Sequence, residues 1–231
     1  MQLIDPRELL LNCPFADVEH LIIGNALNAL ATLIEQGKKE EAFDDLLPAV
    51  LDYLQKHLTH EERVLENAFS VWCEENDFCE LYESFKNYLK TTISEGETDS
   101  YSTFLKVLET FKEKYPDKKD FFDVLELVEH QKYGHKNIVN ILLQELKILD
   151  VNESPKKIIQ QLGLILSFIL NRVLKLDSRY VEFYRKYNLP ACEERPYAPQ
   201  EVIELLKNIL GDEFVDPYGV NIKEGNRKGS G

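Results

Sequence analysis

The chain has 231 residues, 44% of them hydrophobic, enough to bury the core of one generous domain or two small ones. A formal net charge of −14 repels phosphate backbones and anionic lipid, so neither nucleic acid nor a membrane is expected as the main partner. Four cysteines, Cys13, Cys73, Cys79 and Cys192, show no CxxC spacing, and no basic segment followed by an apolar one opens the chain. These features predict a reduced, cytoplasmic protein.

Ten glycines and nine prolines, the prolines mostly between periodic segments, favour long helices and hence an all-α fold. The first helix is expected over residues 17–36, where Leu21, Gly24, Leu27 and Ile34 recur every three or four positions and Gly37 marks the stop. The second, over 39–73, carries Leu47, Val50, Leu54, His57, Glu61 and Leu65 on one stripe, so His57 and Glu61 point where the leucines point. Pro48 near its beginning predicts two pieces joined there. Two aromatic-rich helices follow between 77 and 115, split by a loop at 96–100. A long helix over 118–149 has the stripe Phe121, Leu125, Val128, Gln131, His135, Ile138 and Leu142.

Ser154-Pro155 supplies an N-cap and a first-turn proline for another helix over 155–187, where Arg172 or Val173 and Leu176 or Asp177 share the apolar stripe. Its apolar run, 162–176, falls short of the roughly 20 residues that span a bilayer. A short helix over 199–210 ends at Gly211, and the polar, glycine-rich end of the chain is expected to be disordered.

All five histidines fall in three short stretches, the first two of which also carry well-placed acids: Asp17-Val18-Glu19-His20, His57-Leu58-Thr59-His60-Glu61-Glu62 and His130-Gln131-Lys132-Tyr133-Gly134-His135. Imidazole is the commonest transition-metal ligand, and an acid one turn away on a helix faces the same way, so the pattern points to a metal centre inside a helical bundle. No phosphate loop, nucleophile elbow or HExxH motif is present.

The histidine after Asp17 on the first helix, then His-Leu-x-x-Glu-Glu, a later histidine-bearing helix and a final helix with an acid on its core face together resemble the hemerythrins. The resemblance covers roughly residues 15–68 and 120–185. It implies an up-down four-helix bundle over 1–190, to which the periodicity of the chain itself adds a helical insertion at 76–116, a short helical extension over 191–215 and a tail over 216–231. It also implies non-haem iron, one or two ions, and a protein that binds or senses dioxygen or a related diatomic such as nitric oxide rather than an enzyme.

In that likeness His20 matches the first-helix ligand, His57 and Glu61 the second-helix pair with Glu62 adjoining, His135 the third-helix ligand, and Asp177 a bridging acid. Gln131 and Arg172 stand where the family has histidines. Two readings address those departures. Gly134 would ease a π-bulge that brings His130 to the same metal as His135, or would simply let a neighbouring helix approach. Arg172 would neutralise Glu61 and Asp177 in place of an ion, or would turn to the bundle edge. His60 is expected at the surface or behind the ligands. A metal-free interaction scaffold is the competing function, and the inserted helices are a candidate face for a homo-oligomer.

Overall fold

The computed structural model describes residues 2–94 and 100–219. Among these the chain is all-helical. Its long elements are α1 (Pro14–Glu35), α2 (Leu47–Glu75), α3 (Cys79–Ser94), α4 (Ser100–Lys114), α5 (Lys119–Lys147), α6 (Pro155–Lys186) and α7 (Gln200–Leu210). Most of the loop expected at 96–100, and the chain end from residue 220, lie outside the described residues.

Helix ends follow the local chemistry. Pro14, Pro48 and Pro155 each sit in a first turn, where the missing N–H costs nothing. Gly37 takes φ +77° after α1, and the N–H of Lys38 closes back onto the Leu33 carbonyl at 2.9 Å, a left-handed stop that glycine adopts without strain. Pro48 does not split the second helix. It lies at the start of α2 and is preceded by a π-helical turn, Glu41–Leu46. Ser154 does occupy the N-cap of α6, but its side chain makes no capping bond.

Helices α1, α2, α5 and α6 form a ring in which each packs against two neighbours, α1 on α2 and α6, and α5 on α2 and α6. Their directions alternate. One cavity is lined by Ile23, Leu27 and Leu30, which follow His20 on α1, and by Ile138, Leu142 and Leu146, which follow His135 on α5, but by residues that precede His57 on α2 and Asp177 on α6. The run 162–176 is short of a bilayer span, but helix α6 taken whole is by length and composition apolar enough to cross one, a test that core helices of bundles also pass, and in this fold it places Asp177 and Tyr180 in the bundle interior.

Two apolar cores flank the middle of the ring. One is aromatic, built from Phe69, Trp72, Phe121, Phe122, Phe183 and Tyr184 with Phe85, Phe104 and Phe111 of the α3–α4 pair packed into it. The aromatic stripes of the inserted helices therefore bury against the bundle, leaving Tyr88 and Ile93 exposed. The other core is aliphatic, from α1, the start of α2, the start of α6 and Ile203, Leu206 and Leu210 of α7. The Asn25 side chain anchors the segment after α7, donating to and accepting from the Val215 backbone at 2.7 and 3.0 Å.

The expectation of a fully reduced chain is corrected: Cys13 and Cys192, 179 positions apart, form a disulfide. Such a link is invisible to spacing rules because a strap after α6 folds back across the start of α1. Closing so long a loop stabilises the fold by about 2–5 kcal/mol relative to the open chain. Cys73 and Cys79 are free thiols.

Candidate metal centre

Between the two cores, in a bundle otherwise filled with leucine and phenylalanine, lie Glu19, His20, His57, His60, Glu61, Gln131, His135 and Asp177, all buried. The α-helical repeat explains the convergence. His57 and Glu61 are four apart on α2, as are Gln131 and His135 on α5, so each pair presents one face to the bundle axis.

The spacing of the facing atoms distinguishes this cluster from an ordinary hydrogen-bonded core. His20 Nε2 lies 3.7 Å from Glu61 Oε1 and 3.5 Å from Asp177 Oδ2. His57 Nε2 lies 3.5 Å from Glu61 Oε2, and His135 Nε2 lies 3.7 Å from Glu61 Oε2 and 3.6 Å from Asp177 Oδ1. Those separations are long for hydrogen bonds. They approach the spacing of neighbouring ligands around an ion held at about 2.0–2.2 Å, which is roughly 3.0–3.5 Å. Two groups of three residues meet that description, His20 with His57 and Glu61, and Glu61 with His135 and Asp177. Glu61 belongs to both.

Eight buried polar side-chain atoms lack a hydrogen-bond partner among the described residues, and five of them are here: His20 Nε2, His57 Nε2, Glu61 Oε2, Gln131 Oε1 and Asp177 Oδ2. An unsatisfied buried group costs about 1–3 kcal/mol. Their gathering at one point is what an ion would relieve, so the residues present fit a metal.

Each histidine is aimed from behind. His20 Nδ1 donates to the Leu9 carbonyl at 2.9 Å, His57 Nδ1 to Glu19 Oε2 at 2.7 Å and His135 Nδ1 to Glu62 Oε1 at 3.1 Å. With Nδ1 donating to the rear, Nε2 is the nitrogen turned inward, and once it sheds its proton its lone pair points at the centre, the arrangement metal-binding histidines use. Glu19 is itself fixed by His60 Nδ1 at 2.6 Å and by the Tyr197 N–H at 2.7 Å. Behind Glu61, the Tyr180 hydroxyl donates to Oε1.

Electrostatics follow from the packing. Burial alone would depress the histidines, but the Asp177 and Glu61 carboxylates outweigh it, raising His20 to about 9 and His135 to about 10, the latter with help from Glu62. Burial likewise works to raise Asp177, yet its histidine neighbours hold it below the usual carboxylate range. Glu61 is raised, chiefly by burial and next by the adjacent Asp177 charge. Burial lifts Tyr180 and Tyr184 well above the ordinary phenol range.

Of the residues singled out in the sequence, His20, His57, Glu61, His135 and Asp177 come together, and Glu62 stands behind His135 as a hydrogen-bond acceptor. Gln131 joins them, its Nε2 2.7 Å from both His135 Nε2 and Asp177 Oδ1. His60 is buried and reaches the centre only through Glu19.

Two expectations are corrected. His130 is half-buried and pairs through Nδ1 with the Tyr101 hydroxyl at 2.9 Å, away from the cluster. Helix α5 runs unbulged, and five residues of a regular α-helix turn His130 about 140° from His135. Gly134 serves close packing instead: a Cβ there would fall 2.5 Å from Leu176 Cδ1 of α6. Arg172 is exposed, its guanidinium over the Phe168 ring at 4.4 Å. It too is five residues from the acid it was to meet, so Val173 faces inward in its place.

Glu19, Tyr180 and the carbonyl of Leu9 were not singled out as site groups. Tyr180 had a usable signal, three residues after Asp177 and so on the same helical face. Glu19 had only its place beside His20, and a backbone carbonyl leaves no sequence mark.

Comparison of the chain with protein-family models, with curated proteins and with solved structures finds no match.

Proposed function

We propose that the chain is a hemerythrin-like non-haem iron protein that binds or senses dioxygen or a related diatomic such as nitric oxide. The observation that carries this reading is the convergence of orphaned ligand atoms from α1, α2, α5 and α6 on Glu61 and Asp177, with an apolar cavity beside them. His20, His57, Glu61, His135 and Asp177 would hold one or two ions. The mixed imidazole and carboxylate set suits iron, which when bound supplies an electron-rich open position for a diatomic ligand.

The protein's own contribution is orientation and dryness. Glu19, Glu62 and the Leu9 carbonyl fix three imidazoles, and the two central carboxylates offset the charge of the metal. The adjoining cavity, about 50 Å³, is lined by His20 and His57 and by leucines such as Leu27, Leu54 and Leu170. Its size would admit a water, but a buried water needs two to four polar partners and these walls are almost wholly apolar. A small apolar gas needs none, so the cavity selects the gas over the solvent.

A single-metal or metal-free scaffold is the second reading, and Gln131 favours it. Its amide bridges His135 and Asp177, taking up the inward-facing atoms of one half of the centre. Metal analysis and absorption spectroscopy of protein purified under iron-replete conditions separate the two. Bound iron with a spectrum that shifts on adding nitric oxide supports the first reading. Iron-free protein that stays folded supports the second.

A further inference from the structure

The apolar cavity beside His20 and His57 has a neighbour behind one of its walls. A second cavity, about 410 Å³, lies between residues 2–9 and α6, and the two share Leu9, Leu27, Leu166, Leu170 and Leu174 as a common wall. In this second cavity most polar lining residues are exposed, whereas the leucines are buried or half-buried. Gln2, Asp5, Glu8, Ser167 and Asn171 line it together with the shared leucines, so polar groups accompany an apolar throat.

The segment that closes this side of the bundle is seated by specific devices. Pro6, in the 3-10 turn Pro6–Leu9, lies so close to α1 that a Cβ on Gly24 would fall 2.7 Å from Pro6 Cβ and 2.9 Å from its Cα. Asn28, buried one turn further along α1, clamps the chain before that turn. Its Oδ1 accepts from the N–H groups of Leu3 and Ile4 at 2.8 and 3.2 Å, and its Nδ2 donates to the Ile4 carbonyl at 2.9 Å. At the end of the turn, Leu9 both walls the two cavities and accepts the hydrogen bond of His20 Nδ1. Gly24 and Asn28 thus hold a flap whose last residue touches both the gas cavity and a candidate ligand.

We propose that an uncharged diatomic gas reaches the centre through the side of the bundle, between residues 2–9 and α6, across the five shared leucines, with Asn28 and Gly24 holding the flap that narrows this route. The proposal rests on the gas-binding reading above and deepens it. Glu8 at the mouth repels anions, Asp5 being paired with Arg7 at 3.4 Å, and the leucine throat offers no hydrogen bonds to water or cations, so the route passes small apolar molecules and rejects charged ones. Opposite Leu3, α6 presents Gly163, where a Cβ would meet Leu3 Cδ2 at an ordinary 3.5 Å. A larger side chain there fits the backbone and fills the mouth.

The test uses two readouts on the full chain. In metal-free protein, xenon is the probe: it is expected in both cavities, and its exchange, followed by xenon NMR, is expected to slow in Gly163→Trp. In ferrous protein, stopped-flow nitric oxide association is expected to slow about tenfold in Gly163→Trp with iron content unchanged, and to quicken per bound iron in Asn28→Ala. Ser167→Trp, at an exposed position on the same mouth, provides a second plug should Gly163→Trp fold poorly. Unchanged xenon exchange and unchanged association in the plugged variants would overturn the route. Iron-free protein would sink the gas-binding reading instead, while the xenon arm still decides the route.

Discussion

The two halves of the centre share Glu61 and differ in everything behind it. On the α1–α2 side, His20 and His57 present unpartnered Nε2 atoms, and each is held from the rear by an acceptor that is itself buried. On the α5–α6 side His135 is the one imidazole of its group, with Asp177 beside it. Its inward nitrogen already meets the Gln131 amide, and its rear acceptor, Glu62, is half-buried. The first half is organised before any ion arrives, whereas the second must give up the Gln131 contact to bind one. Preorganised ligands bind more tightly than ligands that must first surrender partners, so a tight site and a weak one are expected in the same chain.

The largest effect is expected where the halves join. Glu61→Ala removes a ligand from both and should lower metal affinity by roughly 100-fold or more, read as the loss of bound iron after dialysis. Glu19→Ala attacks the first half alone by freeing His57 and His60, and a 10- to 100-fold loss is expected at the tight site by competition with a chelator. The weak site should keep its affinity in that variant, which is the outcome that sharpens the contrast.

Acidity changes the two states of the protein in opposite directions. Ligand nitrogens must shed their protons, so metal affinity should climb about tenfold per pH unit for each proton displaced as the pH rises toward about 9, the value for His20. In the metal-free protein the raised histidines stabilise the fold only while protonated. That contribution is complete below the unfolded value near 6.5 and is lost as the pH rises through about 9 and about 10. Denaturant titrations of metal-free protein at pH 7 and pH 10.5 should show the weaker fold at the higher pH.

Gln131→His restores an imidazole where the amide now bridges, and isothermal titration should show the weak site strengthened by about tenfold, near 1.4 kcal/mol. Arg172→His should do almost nothing, because position 172 faces solvent beside Phe168. A gain in metal stoichiometry from Arg172→His would show that α6 can rotate and that the asymmetry of the halves is not built into the fold.

Much of this centre was legible because helical periodicity is simple. His57 and Glu61, four apart on a leucine stripe, had to face the core, and His20, His135 and Asp177 lay on stripes of the same kind. Misjudged positions share one geometric cause. His130 and Arg172 each stand five residues from the side chain they were to accompany, and in an unbulged helix that spacing turns them away. What stayed hidden was everything fixed by tertiary contact. The strap that brings Tyr197 to Glu19, the Leu9 carbonyl behind His20 and the disulfide between Cys13 and Cys192 join residues whose separation in the chain carries no period to read.

The central claim, that Glu61 gathers imidazoles from separate helices into a metal site, is tested most directly by anaerobic ferrous iron titration with equilibrium dialysis on the wild-type chain and Glu61→Ala in parallel. At least one tightly held ion per wild-type chain, absent from a folded Glu61→Ala variant, is the predicted result. Equal iron retention by both proteins, or none by either, would contradict it.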